Sequence, residues 1–157
     1  MTDMLAYIHE SNCIEGYDSK KADKLGIDAW AWLIKQKQLN KGVICKLQKQ
    51  LTLFQDDLQP NWRGYYRDIN VSVGGRVCPA WHIVPHLMEN WLLDYGDPNK
   101  EFDPLVAHIA LEHCHPWADG NGRTGRLILW WHQSKKGQPL TMYKNSEKYE
   151  IYYPLFR

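Results

Sequence analysis

One interruption constrains this chain more than any other feature. From Leu105 to Trp131 the residues follow a helical pattern, except where His115-Pro116 and Asp119-Gly120-Asn121-Gly122 break it. A residue before proline is pushed out of the helical region, and glycines on both sides of Asn121 remove side-chain restraint on the backbone. The segment therefore reads as two helices meeting end to end. The first takes Asp103 as its cap and Pro104 as its first residue and stops at His115. The second opens at Gly122 and runs to Gly137.

The loop "HPWADGNGRTGR", residues 115–126, concentrates polar groups between two apolar segments. Its backbone N–H groups can point into a shared space. The first N–H groups of the following helix lack internal partners and carry partial positive charge. Together they make an anion site suited to a phosphate. Arg123 and Arg126 are three apart and share a helix face at that positive end, so a negative guest such as a polyphosphate should offset them. Asp119 beside phosphates calls for a cation between, and magnesium is the usual one. His115, with an ordinary pKa of about 6.5, suits general-base work on an incoming hydroxyl. The combination describes transfer of a phosphate-containing group from a nucleotide to a hydroxyl. Taken singly, each residue has a plainer reading: a histidine capping a helix, an Asp-Gly turn, a Gly-x-Gly of little weight. His113 and His115 are two apart on a helix and diverge, while His108 and Glu112 read as an ordinary helix pair.

The rest of the chain supports an all-α domain with one hairpin. Residues 2–16 read as a helix capped by Thr2 or Asp3 and ended by Gly16 in left-handed conformation. Residues 19–38 carry a stripe of Ala22, Leu25, Ala29, Trp32 and Leu33, and residues 41–54 repeat Val43, Ile44, Leu47, Leu51 and Phe54. Residues 69–81 alternate apolar and polar around Gly74-Gly75, a hairpin signal. Residues 84–96 are helical again, with Pro85 near the first turn, and residues 146–156 form a last amphipathic segment. At 157 residues the chain fits one domain, residues 1–157. Its eight tryptophans should pack a helical core and line part of a cleft.

A formal net charge of +1 gives no bulk attraction to nucleic acid or membrane. Cys13, Cys45, Cys78 and Cys114 lie far apart, which argues against a zinc knuckle and for free thiols. No stretch resembles a signal peptide or spans a bilayer, so the expected location is cytoplasmic.

Residues 115–126 closely resemble the signature of the Fic (Fido) family, His-Pro-Phe-x-Asp/Glu-Gly-Asn-Gly-Arg-x-x-Arg, with Trp117 in place of the phenylalanine that anchors the loop. Residues 62–75 are similar to the segment leading into that family's flap hairpin, and "SNCIEG", residues 11–16, to its inhibitory motif Ser/Thr-x-x-x-Glu-Gly/Asn. The resemblance implies an all-α Fic-type domain with a small β-hairpin flap at residues 69–82 and an N-terminal inhibitory helix at residues 1–16. It implies transfer of AMP from ATP, with Mg2+, to a Ser, Thr or Tyr hydroxyl of a target protein. His115 would be the base and Asp119 the magnesium ligand. Gly120, Asn121, Gly122 and Arg123 would cradle phosphates, and Arg126 would meet the γ-phosphate. Ile69, Asn70, Val71, Ser72, Val73 and Gly74 of the flap would clamp a target segment by strand addition. Ser11 and Glu15 would form the inhibitory pair, with Glu15 occupying Arg126 so that ATP binds unproductively. Related nucleotidyl transfer, removal of AMP by hydrolysis, and an inactive nucleotide-binding module are the alternatives. A homo-oligomer through exposed tryptophans is open.

Overall fold

The computed structural model describes residues 3–157. Among them, six α-helices form: α1 (Met4–Ile14), α2 (Lys20–Leu33), α3 (Lys41–Leu51), α4 (Val84–Tyr95), α5 (Pro104–Cys114) and α6 (Asn121–Lys135). Strands β1 (Ser72–Val73) and β2 (Arg76–Val77) pair antiparallel, Ser72 opposite Val77 and Val73 opposite Arg76. Four helices start on a side chain that accepts from their first turn: Asp3, Ser19, Asn40 and Asp103. The cap expected at Thr2 or Asp3 thus falls on Asp3, and Thr2 lies outside the described residues. Gly16 ends α1 at φ 83°, and the hairpin turns on Gly74 and Gly75 at φ 55° and 81°, values that residues with a Cβ rarely adopt.

Helix α6 is the axis of the molecule. Every residue from Arg123 to Gln133 is buried, so it is packed on all sides rather than on one stripe. Ile8 and Ile14 of α1, Ile44 and Leu47 of α3, Met88 of α4 and Leu111 of α5 join Leu127, Ile128 and Trp130 in one core. Each such side chain contributes about 1.5–3 kcal/mol when withdrawn from water. Helices of this length are marginal alone, so the shared core is what holds them.

Several expectations need correction. Helix α2 ends at Leu33 instead of running to residue 38, and α3 ends at Leu51 rather than Phe54. At the latter end the Thr52 hydroxyl donates to the carbonyls of Gln48 and Lys49, satisfying the groups a further turn would have used. The last segment is no α-helix. It is a 3₁₀ turn (Asn145–Glu147), a π turn (Lys148–Tyr152) and another 3₁₀ turn (Tyr153–Phe156). Pro154 has no N–H for an α ladder. The hairpin ladder is two residue pairs long, shorter than residues 69–82. Trp91, Trp117, Trp130 and Trp131 pack the core, but the walls of the main cleft hold tyrosines and no tryptophan. All four cysteines are free thiols. Among the described residues no helix is long and apolar enough to cross a membrane.

Candidate active site

His115 caps α5 at φ 49° and ψ 63°, the one described non-glycine residue with positive φ. That conformation is unfavourable for a side chain bearing a Cβ, and it persists because the surroundings hold it. Its N–H donates to the Leu111 carbonyl at 2.9 Å, and its own carbonyl accepts from Arg67 Nε at 2.7 Å. The ring is mostly buried. Burial, followed by the Arg67 charge, lowers its pKa to about 4, so the imidazole is a free base at neutral pH. Its Nδ1 lies 4.0 Å from Glu112 Oε2.

Glu112 departs from its expected pairing with His108. The His108 Nε2 is 3.1 Å from the Tyr152 hydroxyl, while Glu112 turns toward His115. Burial pushes the Glu112 carboxyl up to about 7. Both side chains press on Gly125, where a Cβ would lie 2.6 Å from Glu112 Oε1. His113 points away, with Nε2 3.2 Å from the Phe156 carbonyl oxygen.

The loop after His115 is held by its own side chains. Asn121 Oδ1 accepts from the Trp117 N–H at 3.0 Å, and its Nδ2 donates to the Trp117 carbonyl at 2.8 Å. The Asn121 amide group is therefore spent on the loop, which leaves only its backbone N–H for an anion. Trp117 itself is fully buried. Gly120 opens α6 at φ 79° with no side-chain cap, unlike α1, α2, α3 and α5. The first N–H groups of α6 are thus not covered by a capping side chain. Asp119 is partly exposed; its Oδ1 accepts from the Gly120 N–H, its Oδ2 from Gln55 Nε2, and Arg123 Nη2 is 3.9 Å away.

Both arginines are buried. Arg123 donates to the Leu51 carbonyl at 2.9 Å and to Gln55 Oε1 at 2.7 Å, with its guanidinium over Tyr17. Arg126 donates through Nε to the Ser11 hydroxyl at 2.7 Å, and through Nη2 to the Ser11 carbonyl at 2.9 Å and Glu15 Oε1 at 2.7 Å. Its Nη1 is buried without a partner, and its guanidinium faces the Tyr152 ring. Glu15 also abuts Gly122 so closely that a Cβ there would collide with its carboxylate.

A cavity of about 500 Å³ is lined by His115, Glu15, Gly122 and Glu112, by the hairpin residues Val73, Gly74 and Arg76, and by Tyr152. Asp119, Asn121, Arg123 and Arg126 do not line it, and neither do Ser11, Ile69, Asn70, Val71 and Ser72. Asn70 Oδ1 instead accepts from the Trp81 N–H at 3.0 Å, closing the base of the hairpin.

Arg67 is the residue that sequence reasoning missed. Fully buried, it donates to the carbonyls of His115, Ile69 (2.8 Å), Pro79 (2.6 Å) and Cys114 (3.3 Å). One guanidinium thus ties the C-terminal end of α5, where a cation suits the helix dipole, to both legs of the hairpin. Arg76 adds a second tie, from β2 to the carbonyls of His113 and Glu112. Nothing local in "GYYRD" signals this role. Arg67→Met should leave four carbonyls, that of Cys114 buried and the other three in part-buried bonds, without that donor. We expect a stability loss of about 3 kcal/mol, seen as a lower urea midpoint at unchanged slope.

An all-helical domain with a short flap, a histidine at a helix end and an uncapped helix facing it defines the class of protein. The sequence model of the Fic/DOC family matches residues 38–132, and the chain belongs to that family. It is 30% identical over 152 residues to "Protein adenylyltransferase Fic" of Aedes aegypti, covering 86% of this chain and 30% of that protein. The counterpart in Culex quinquefasciatus is 30% identical over 149 residues, covering 86% and 29%. The chain therefore spans about a third of the length of these relatives. Among solved structures, a Fic-domain-containing signalling protein from Bacteroides thetaiotaomicron superposes with a TM-score of 0.76 at 19% identity, covering 96% of this chain and 69% of that one. Fic-1 from C. elegans gives 0.75 at 19% identity, covering 99% and 55%. At such identity these two establish the shared fold.

Proposed function

We propose that this chain is a protein adenylyltransferase domain that moves AMP from ATP to a Ser, Thr or Tyr hydroxyl of a target protein and is held back by Glu15. The observation that carries the reading is Arg126: a buried guanidinium occupied by Ser11 and Glu15 on one side, with Nη1 unpartnered, beside a helix start that has no side-chain cap. The names of the relatives supply the donor and the acceptor class.

In this reading His115 takes the proton of the incoming hydroxyl. The freed oxygen attacks the α-phosphorus, the bond to the β-phosphate oxygen breaks, and pyrophosphate leaves. The ring nitrogen used is Nε2, since Nδ1 faces Glu112. The N–H groups of Gly122 and Arg123 receive phosphate oxygens. Asp119 offers a partly exposed carboxylate, the right donor for Mg2+, which would neutralise phosphate charge when bound. Arg126, once released, meets the terminal phosphate. The hairpin presents Val73 and, 77% exposed, Val77, an edge that an extended target segment can extend by backbone pairing.

The test is incubation of the Glu15→Gly variant with α-labelled ATP, Mg2+ and a cell lysate. Label should appear on protein, released by digestion as AMP on a hydroxyl residue. The part of the rate profile that belongs to His115 should fall as the pH drops through about 4, where the imidazole gains its proton, while the Glu112 carboxyl beside it, pushed up to about 7, changes charge across the neutral range. Label that never leaves the nucleotide overturns the reading.

A further inference from the structure

We propose that His9, Cys13 and Asp18 form a zinc site that clips the end of α1 across the turn carrying Glu15. His9 and Cys13 are four apart on α1 and share a face. Their ligand atoms, His9 Nε2 and Cys13 Sγ, are 3.5 Å apart. Tetrahedral zinc with Zn–N of about 2.05 Å and Zn–S of about 2.3 Å requires a separation of about 3.5–3.6 Å. Asp18, beyond Gly16, completes a triad of donor atoms that all lie within 4.8 Å of one another.

The second, independent observation lies behind the histidine. His9 Nδ1 is 2.9 Å from Asp23 Oδ2, and Asp23 Oδ1 accepts from Asn12 Nδ2 at 2.8 Å. A carboxylate fixed in this way holds the proton on Nδ1 and aims the Nε2 lone pair at Cys13, the arrangement that orients zinc-bound imidazoles. Asp18, Glu10 and Asp23 all act on Cys13 as nearby negative charges, with Lys148 opposing them. This local surplus of negative charge favours a divalent cation. Thiolate and imidazole together select zinc over magnesium or calcium, and water would fill the fourth position.

The ligands come from both sides of Gly16. His9 and Cys13 belong to α1, Asp18 precedes the Ser19 cap of α2, and Glu15 lies between. Bound zinc would hold the last turn of α1, and with it Ser11 and Glu15, in the position that occupies Arg126. This regulatory consequence rests on the function proposed above, whereas the site itself does not.

The experiment titrates the reduced full chain with Co2+. One equivalent should produce a thiolate-to-cobalt charge-transfer band and tetrahedral d–d bands, both erased by Zn2+. Cys13→Ser, a near-isosteric change at a partly exposed position, should abolish the charge-transfer band while the far-ultraviolet circular dichroism stays unchanged. Asp23→Asn should weaken binding by about 10-fold or more. Zinc should also slow amide exchange from Asn12 to Tyr17 in the wild type and not in Cys13→Ser. Absence of the bands, or their survival in Cys13→Ser, overturns the site and leaves an S–H···N contact only. Binding without slower exchange overturns the clip. Because neither readout involves AMP transfer, an inactive protein would count against the adenylyltransferase reading alone.

Discussion

His115→Ala should lower AMP transfer by about 10²–10⁴-fold, the usual contribution of a positioned base, while nucleotide affinity stays within about two-fold. The asymmetry follows from what the ring touches. In the proposed reading the first turn of α6 and the two arginines receive the phosphates, and His115 contributes no donor to them; its imidazole would act on the incoming hydroxyl. Isothermal titration with ATP and a labelled-ATP assay separate the two effects. The backbone at residue 115 is left-handed, which alanine tolerates poorly. His115→Asn is therefore the companion variant, because asparagine accepts that conformation and its amide cannot serve as a base. If either variant kept full transfer, the imidazole would not be the base. If both lost ATP binding along with transfer, the ring would be part of the nucleotide site.

Glu15→Gly should raise AMP incorporation by about 10–100-fold. A charge-assisted hydrogen bond such as Glu15–Arg126 is worth about 1.5–3 kcal/mol, and about 1.4 kcal/mol corresponds to a tenfold change in occupancy. Glu15 is nearly a third exposed, so solvent screening favours the lower end of that range. The change also frees the space beside Gly122, which the carboxylate now crowds. Arg126 keeps its bonds to Ser11, so the fold should survive with a slightly lower melting temperature. Unchanged incorporation would remove Glu15 as the brake and leave the chemistry of His115 untouched.

Much of the helical framework was legible because its signals are local. Asp3 and Asp103 cap helices by reaching N–H groups two or three residues away. Gly16 and Gly74-Gly75 turn the chain because they lack a Cβ, and Pro116 stops α5 through a clash with its immediate neighbour. Failures came where a distant partner changed the outcome. His108 and Glu112 satisfy the spacing of a pair, yet Tyr152 draws one and His115 the other.

The sequence alone determined that two helices meet at a glycine loop with a histidine, a carboxylate and two arginines beside it, since proline, glycine and caps act within a few residues. Tertiary structure alone decided that Arg67 joins the hairpin to the C-terminal end of α5 and that Tyr152, a lining residue of the cavity, meets His108. Those contacts cross 48 residues in one case and 44 in the other, and no preference of the chain's near neighbours encodes them.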